Sequence, residues 1–321
     1  MSKRANFWRH ALLSLAVPAC LTSCINEDMS DCGNDYKITY RMNLNTNLST
    51  EIEQVLTTTE EQAFAPTLRS ALDNVFTDYA LDNDLSFYVG GNLTRHEANE
   101  MNGNTASYTI YLSRNVYRHL ALANTKGETQ VQATGTDALS SFALHQTAAD
   151  TIDCHRYGLF TARKDIAADD FGKDIDVNLY MANCAAVVLI NQNATKPDAL
   201  AGYLKGMTTC FSVNDSTYAK TQSTVLRARS VYEATTSNRY NALYAVGFPS
   251  EKGTWTFDVI VKRNGKYTKT ALTVSEPLKA GQLKIIKTML KDDGSLTTET
   301  RNVGATVTLD WKQGGEHDVE I

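Results

Sequence analysis

Apolar and polar residues alternate in several parts of the chain, which predicts half-buried β-strands. In residues 38–44 the apolar side chains occupy the even positions, and in residues 107–112 they are Tyr108, Ile110 and Leu112. A period of two places such side chains on one face of a strand. Further strands are predicted, from alternation or from short apolar runs, at residues 85–89, 117–123, 177–190, 203–213, 243–248, 283–290 and 307–311.

The clearest turn separates two strand patterns at residues 255–262 and 267–274. Residues 263–266 between them read Arg-Asn-Gly-Lys. Asn-Gly flanked by strand patterns is a strong hairpin signal, because both residues tolerate positive φ. A second turn is predicted at residues 291–294, which read Lys-Asp-Asp-Gly.

Residues 51–76 are predicted as the one helical stretch. Leu68, Leu72 and Phe76 recur at helical spacing, so one face of this helix should pack on a sheet. Pro66 is expected near a helix start, where its missing N–H removes no helical hydrogen bond.

Short strands at close spacing with one short helical insertion predict a mainly β fold built of sandwiches. A length of 321 residues agrees with about two domains. Residues 150–176 are polar and rich in Asp, so we expect an irregular domain boundary there. The expected units are an N-terminal β-sandwich domain at 36–160 and a C-terminal one at 177–321.

Composition and charge exclude several classes of protein. The formal net charge is −5, whereas a nucleic-acid binder needs a basic face to release counterions. The apolar share of 42% and the charged share of 21% fit neither a disordered chain nor a bundle of membrane helices. We therefore expect a folded protein with no nucleic-acid partner.

The first residues have the pattern of a lipoprotein signal peptide. Residues 1–10 carry three basic side chains and no acid, and residues 11–19 are an apolar run too short to span a membrane. Leu-Thr-Ser-Cys at residues 21–24 resembles the bacterial lipobox. We expect cleavage after residue 23 and attachment of lipid to Cys24; the alternative is a plain secretory signal with a chance cysteine.

Cleavage would change the length and net charge of the chain and would leave an acidic tether, residues 24–35, at its new N-terminus. The mature chain would have 298 residues and a net charge of −8, because three basic residues leave with the signal. The Glu27-Asp28 doublet is similar to the surface-export signal of Bacteroidetes lipoproteins, although a merely solvated tether is the alternative. We expect a lipid-anchored protein of the cell outer membrane, exposed at the surface, with acyl chains such as palmitate on Cys24.

The cysteines allow disulfide bonds in such a compartment. Without Cys20, which lies in the signal, and Cys24, four remain: Cys32, Cys154, Cys184 and Cys210. Three pairings are open. Cys184 could pair with Cys210 in neighbouring strand patterns, which would leave Cys32 with Cys154; buried free thiols are the alternative.

No motif for catalysis, cofactor binding or metal binding is present, so we expect neither an enzyme nor a cofactor. The acid-rich residues 165–176 do not have EF-hand spacing, and a solvated loop is favoured over a calcium site. Trp255 and Trp311 could form a glycan-stacking platform, although tryptophans on strands more often belong to a core.

Several short segments together resemble a known family. They are residues 26–32 after the lipobox, the strand at 38–44, and four segments that read Tyr-Arg-His-Leu-Ala-Leu-Ala-Asn at 117–124, Gly-Phe-Pro at 247–249, Leu-Lys-Ala-Gly-Gln at 278–282 and Val-Thr-Leu-Asp-Trp at 307–311. This set resembles the fimbrillin superfamily of Bacteroidales, and within it the FimB-type fimbrium anchor lipoproteins.

The resemblance implies two tandem transthyretin-like β-sandwich domains and a role in type V pili, which support cell adhesion. It implies fimbrial subunits as partners, assembled by donor-strand exchange, and outer-membrane lipid held through the acylated Cys24. Cys32 matches the cysteine that closes the acidic tether. The helical stretch at 51–76 is longer than the family pattern and no donor strand aligns, so anchor, stalk and tip subunits stay open.

A second function from another class fits the same signal and strands. The chain could be an outer-membrane glycan-binding lipoprotein of a polysaccharide uptake system, with Tyr and Trp side chains stacking on sugar rings. Fimbrial genes near its own would favour the first function, and a transporter pair with glycosidases the second.

Overall fold

The computed structural model describes residues 34–44, 48–170, 172–192, 196–232, 239–298 and 307–313. In these residues the chain forms 22 strands and two α-helices, α1 (Leu48–Val55) and α2 (Thr59–Leu72). The strands are β1 (Asn34–Asn43), β2 (Ala80–Val89), β3 (Asn92–Gly103), β4 (Thr105–Leu112), β5 (Tyr117–Ala123), β6 (Val131–Thr134), β7 (Ala143–Gln146), β8 (Thr151–Asp153), β9 (Phe160–Ile166), β10 (Asp174–Met181), β11 (Cys184–Asn191), β12 (Ala199–Lys205), β13 (Cys210–Ser212), β14 (Thr217–Ala219), β15 (Val225–Arg227), β16 (Arg229–Tyr232), β17 (Tyr240–Gly247), β18 (Trp255–Arg263), β19 (Lys266–Val274), β20 (Leu283–Leu290), β21 (Leu296–Thr298) and β22 (Val307–Gln313).

The strands form four sheets. The seven-stranded sheet has the order β3-β2-β5-β9-β10-β1-β4, and the four-stranded sheet β14-β13-β7-β6. The five-stranded sheet has the order β16-β17-β11-β20-β21, and the six-stranded sheet β22-β19-β18-β12-β15-β8. The prediction of a mainly β fold is confirmed, with two helices in place of a single helical stretch.

Three hydrophobic cores lie between these sheets. The central core holds one face of the seven-stranded sheet, one face of the five-stranded sheet and both helices between them. A second core lies between the five- and six-stranded sheets, and a third between the seven- and four-stranded sheets. The sheets are therefore layered in the order six, five, seven and four strands, with the helices in the middle.

Strands in the middle of this stack are buried on both faces. In β11, Ala185, Val187 and Leu189 belong to the central core, whereas Ala186 and Val188 belong to the second core. A strand buried on both faces has no polar side to show, so its sequence is a continuous apolar run. This explains why β5, β11 and β17 are apolar runs and not alternations.

The predicted hairpin is confirmed. β18 and β19 pair from Trp255 opposite Val274 to Arg263 opposite Lys266. Asn264 and Gly265, between the two strands, have φ of 51° and 72°, and positive φ at both central positions is the requirement of a type I′ turn. The turn at 291–294 is also confirmed, with Gly294 at φ 84°.

Residues 150–176 are not irregular, so that prediction is wrong. They contain β8, all of β9 and the first three residues of β10. β9 pairs with β5, and β10 pairs in parallel with β1. Along β10 buried and exposed residues alternate. The start of this strand was not predicted, because its exposed positions include the acids Asp174 and Asp176. β7, before this segment, pairs with β13 after it, and β8, inside the segment, pairs with β15 after it. The domain limits at 160 and 177 stay a prediction.

The start of α2 lies further upstream than the sequence predicted. Thr58 caps this helix, because its hydroxyl accepts from the Glu61 N–H at 3.2 Å while the Glu61 carboxylate accepts from the Thr58 N–H. This reciprocal pair is a capping box. Pro66 therefore lies in the middle of the helix and not near its start, where it leaves the Gln62 carbonyl without its helical donor.

Glu61 also connects the helices to the five-stranded sheet. Its carboxylate accepts from the N–H groups of Thr57 (2.8 Å) and Thr58 (2.9 Å) and forms a buried ion pair with Lys287 of β20. The Lys287 ammonium donates to the Val55 carbonyl at the end of α1, at 3.3 Å. Burial alone would raise the pKa of Glu61, but Lys287 and the two backbone donors outweigh it and hold the pKa below its ordinary value.

Replacing Lys287 with Met should lower the free energy of unfolding by about 3–5 kcal/mol at neutral pH, because the Glu61 carboxylate then stays buried without its partner. The matched control is Lys37→Met, which removes the exposed Lys37–Asp174 pair and should cost about 0–1 kcal/mol. Urea unfolding measures both variants.

The difference should also depend on pH. The pKa of Glu61 is lowered in the folded state, so its stabilisation is present above the ordinary carboxyl pKa of about 4.3 and is lost as the pH falls through the lowered value. The cost of Lys287→Met should therefore shrink in acid. Equal costs for Lys287→Met and Lys37→Met at neutral pH would contradict the role given to Glu61.

Candidate anchor and assembly surfaces

The described chain begins with β1, at the end of the seven-stranded sheet where β4 finishes. Asn34 is the first residue of β1 and lies opposite Leu112, the last residue of β4. Cys24 and Cys32 lie outside the described residues. Cys24 precedes Asn34 by ten residues, and a chain of that length spans at most about 35 Å.

β1 lies inside the sheet. It pairs in parallel with β10 from Lys37 to Asn43 and in antiparallel fashion with β4 from Asn34 to Arg41. Its even-numbered side chains, from Tyr36 to Met42, belong to the central core. A pull on the chain before Asn34 would act along β1 and load both ladders of hydrogen bonds at once.

Ion pairs surround the start of β1. They are Lys37–Asp174 (3.2 Å), Arg114–Asp169 (3.6 Å), Arg118–Asp165 (2.6 Å) and Lys173–Asp170 (3.2 Å). The Ala167 N–H and the Lys173 ammonium lower the pKa of Asp170. Four of the acids in residues 165–176, for which a solvated loop was favoured over a calcium site, are thus partnered by basic side chains. Among the described residues no group of acids, histidines and cysteines could hold a metal ion.

Two exposed apolar side chains stand near the same end. Tyr111 and Val116 are 65% and 62% exposed, next to the end of β4. Among the described residues no helix is long and apolar enough to cross a membrane.

The cysteines that the structure describes are free thiols. Cys184 lies in the second core with its Sγ 3.5 Å from the Gly247 carbonyl, and Cys210 lies on β13 with its Sγ 3.6 Å from His145 Nε2. Burial raises the pKa of Cys184. The described chain therefore contains no Cys184–Cys210 bond. Cys154 is a buried thiol of the same second core, and its predicted pairing with Cys32 stays a prediction.

His155 forms a buried polar contact between segments that the sequence assigned to different domains. Its Nε2 lies 3.1 Å from the side-chain amide nitrogen of Gln146, and its Nδ1 lies 3.5 Å from the side-chain amide nitrogen of Asn183. Burial lowers the pKa of His155 to about 4, so the ring is neutral at physiological pH. Sequence reasoning did not single out this group, because its members are brought together only by the fold.

The edges of the sheets are the places where another chain could pair. β3, at one edge of the seven-stranded sheet, is polar and carries the Arg95–Glu97 ion pair (2.7 Å). Charged side chains on an edge discourage pairing with a second chain. β22, at one edge of the six-stranded sheet, has β19 as its hydrogen-bonded neighbour, from Val274 opposite Val307 to Thr268 opposite Gln313.

Trp255 is not part of a surface platform. Its side chain is 2% exposed, and its indole N–H donates to the Glu276 carbonyl at 2.9 Å. It lines the floor of a cleft of about 430 Å³ between α1 and the segment that joins β19 to β20. The side chain of Trp311 lies outside the described residues.

A second pocket, of about 340 Å³, opens between the five- and six-stranded sheets. Gln192 lines it, and sequence reasoning missed this residue. The even-numbered residues of β11 face the second core, so a polar residue at position 192 on the same face was the available signal.

Comparison with known proteins places the chain in a family. The model of the family described as fimbrillin-A associated anchor proteins Mfa1 and Mfa2 matches residues 29–313. No curated protein matches the chain in sequence.

Solved structures share the fold at low identity. A candidate polysaccharide-binding protein from Bacteroides thetaiotaomicron is 11% identical with a TM-score of 0.54, and the match covers 84% of this chain and 100% of that one. A candidate adhesin from Bacteroides ovatus is 10% identical with a TM-score of 0.52, covering 90% and 97%. A candidate adhesin from B. thetaiotaomicron is 10% identical with a TM-score of 0.51, covering 87% and 96%.

These structures support the fold alone, whereas the family model spans nearly all of the sequence. Its match begins five residues after Cys24 and ends with the last residue of β22. The chain therefore belongs to the fimbrillin-A associated anchor proteins Mfa1 and Mfa2, a family of non-enzymatic fimbrial anchors of the cell surface.

Proposed function

We propose that this protein is the lipid-anchored base of a type V fimbria in the outer membrane of a Bacteroidales cell. Lipid on Cys24 would hold it in the outer leaflet, and residues 24–33 would form the acidic tether, two residues shorter than predicted because Asn34 and Asp35 belong to β1. The observation that carries the proposal is the family match, which begins within that tether at residue 29 and continues to 313. The body would consist of two tandem transthyretin-like sandwich units that share the central core.

The position of β1 suits a protein that must resist a pull. A fibre attached to the body would draw it away from the membrane, and the tether would transmit this force to Asn34. Because β1 is paired on both sides, its ladders would be sheared together and not opened one bond at a time. The buried apolar face of β1 in the central core adds further resistance.

We also propose that β22 is the strand exchanged with a fimbrial subunit. It is the last strand described, it occupies a sheet edge, and Val307, Leu309 and Trp311 alternate with polar residues along it. An extended strand with alternate apolar side chains is the form in which a donor fills the groove of a neighbouring sandwich. Main-chain hydrogen bonds would give such a contact its affinity.

Replacing Cys24 with Ala should release the protein from the outer-membrane fraction and shed fibres into the medium, because the lipid cannot attach without the thiol. Fractionation with immunoblotting and electron microscopy measure the two effects. Cys20→Ala is the matched control, since it makes the same change inside the predicted signal and should leave both unchanged.

Two outcomes would contradict the anchor proposal. One is a Cys24→Ala protein that stays membrane-bound with fimbriae attached to the cell. The other is release of the protein with no change in the number or attachment of fimbriae, which would separate lipidation from the fimbrial role.

Locking β22 onto β19 tests the strand exchange. Ala271 and Asp310 lie directly opposite each other on these strands, at a spacing that a disulfide can bridge. The double variant Ala271→Cys/Asp310→Cys should stay lipidated and membrane-bound but recruit no fimbrial subunits until a reductant opens the bond.

The single variant Asp310→Cys is the control and should recruit subunits with or without reductant. Pull-down of fimbrial subunits in oxidising and reducing buffer measures the difference. Recruitment by the oxidised double variant equal to that of the control would rule out β22 as the exchanged strand while leaving the lipid anchor intact.

A further inference from the structure

Several loops meet at the end of the seven-stranded sheet where β1 begins, and we call this end of the sheet the tether end. It consists of the start of β1, the β2–β3 hairpin at 89–92, the β4–β5 loop at 113–116, and residues 167–170 and 172–173 between β9 and β10. The strand registers bring them together, since Asn34 lies opposite Leu112 and Tyr117 lies opposite Ile166. The chain that comes from Cys24 therefore enters the folded body at this end.

Two apolar side chains at the tether end are exposed to solvent. Tyr111, the last residue but one of β4, is 65% exposed, and Val116 in the following loop is 62% exposed. Tyr111 lies opposite Asp35, and the adjacent Tyr36 belongs to the central core. Because neighbouring residues of a strand face opposite sides, Tyr111 projects from the outer face of the sheet. Single exposed apolar residues need no partner, so the position of these two decides what they meet.

The tether decides that position. Nine residues separate Cys24 from Asn34, so lipid on Cys24 would hold the tether end within about 35 Å of the membrane. The ten residues of β1 rise by about 33 Å, which takes the other end of the sheet well away from it. A short flexible linker keeps two surfaces at an effective concentration in the millimolar range, at which even a weak contact is populated.

The charges at the tether end largely cancel. The four ion pairs around the start of β1 each join one basic and one acidic side chain, so together they contribute no net charge. Gly90 and Gly91, at the tip of the β2–β3 hairpin, have φ of 57° and 89° and add no side chain there. A surface with paired charges is easier to bring to a lipid interface than one with unpaired charges.

We propose that the tether end rests on the lipid surface, with Tyr111 and Val116 in the interface between headgroups and acyl chains. Val116 would enter the acyl boundary, and the Tyr111 ring would lie at the level of the headgroups with its hydroxyl toward water. The contact rests on the proposed lipid attachment at Cys24. A fimbrial subunit fits this surface less well, because the tether holds it close to the membrane.

The size of the effect suits a tethered protein. Moving one such side chain out of water favours the contact by about tenfold, so the two together would favour it by about a hundredfold. That is too little to recruit a free protein to the membrane. It is enough to orient a body that the tether already holds there, with β1 leading away from the lipid.

Tryptophan fluorescence with brominated phosphatidylcholine as quencher tests where the tether end lies. Val116→Trp places the reporter in the proposed contact. Leu81→Trp is the matched control, since Leu81 is 48% exposed at the start of β2, at the opposite end of the same sheet. After subtraction of the native tryptophans, Val116→Trp should lose about half of its emission, as expected for a residue at the acyl boundary, and Leu81→Trp should lose none.

Two preparations separate this contact from lipidation. In one, the protein is purified in detergent and reconstituted into phosphatidylcholine vesicles, where its own lipid holds it. In the other, a hexahistidine tag replaces residues 1–23 and a nickel-chelating lipid in the same vesicles holds the chain. Both should show the quenching. Quenching in the tagged preparation alone would support the contact and contradict lipid attachment at Cys24.

Neutron reflectometry on a supported phosphatidylcholine bilayer measures the gap between bilayer and body. The double variant Tyr111→Ser/Val116→Ser should widen this gap by about 10 Å or more, up to the reach of the tether. Leu81→Ser/Tyr180→Ser is the matched control, because it removes two exposed apolar side chains from the opposite end of the sheet and should leave the gap unchanged. All four positions are exposed, so both variants should keep the thermal midpoint of the parent.

Three results would overturn the proposal. They are equal quenching of Val116→Trp and Leu81→Trp in the tagged preparation, equal gaps for the two double variants, and loss of the contact in about 0.5 M NaCl, which would indicate attraction between charges. Each would leave the fimbrial anchor proposal standing, because the Cys24→Ala experiment measures attachment and not the position of the body.

Discussion

The helical layer between the seven- and five-stranded sheets is the packing constraint on which the rest of the molecule depends. Both helices and the facing sides of both sheets contribute to one central core, so neither sheet can separate without exposing it. The Glu61–Lys287 ion pair fixes the register of this layer, because it joins the start of α2, the end of α1 and β20 at one buried point. A buried charge is tolerated only when it is paired and hydrogen-bonded, and Glu61 has three such partners.

The same packing constraint determines how the fold would carry a mechanical load. In our proposal the tether leads into β1. This strand is held between β10 and β4 and packs into the same central core. On the far side of the helices, the five-stranded sheet belongs to that core and also to the core of the six-stranded sheet, at whose edge β22 lies. In our proposal a load between membrane and fibre runs from β1 through the helical layer to β22.

The sequence could predict those features that local chemistry decides. Three predictions are confirmed: the first strand, which became β1, the Asn264-Gly265 turn, and the resemblance to fimbrial anchors of Bacteroidales. Each of them depends on neighbouring residues or on short motifs. β3 was missed because several positions on its more buried face, such as Glu97 and Asn99, are polar, so burial alternates along the strand while hydrophobicity does not. Pro66 was misplaced because the stronger start signal is the Thr58–Glu61 capping box. The pocket and the His155 contact could not be predicted, because they form only when distant strands meet.

Locating the protein on intact fibres tests the central claim most directly. Gold-labelled antibody against this chain, viewed by electron tomography of fimbriated cells, shows where along the fibre it lies. The account predicts a single label for each fibre, at its base and within a few tens of ångströms of the outer membrane, as a tether of about 35 Å requires. Labels repeated along the shaft or placed at the tip would contradict it and would make the chain a stalk or tip subunit.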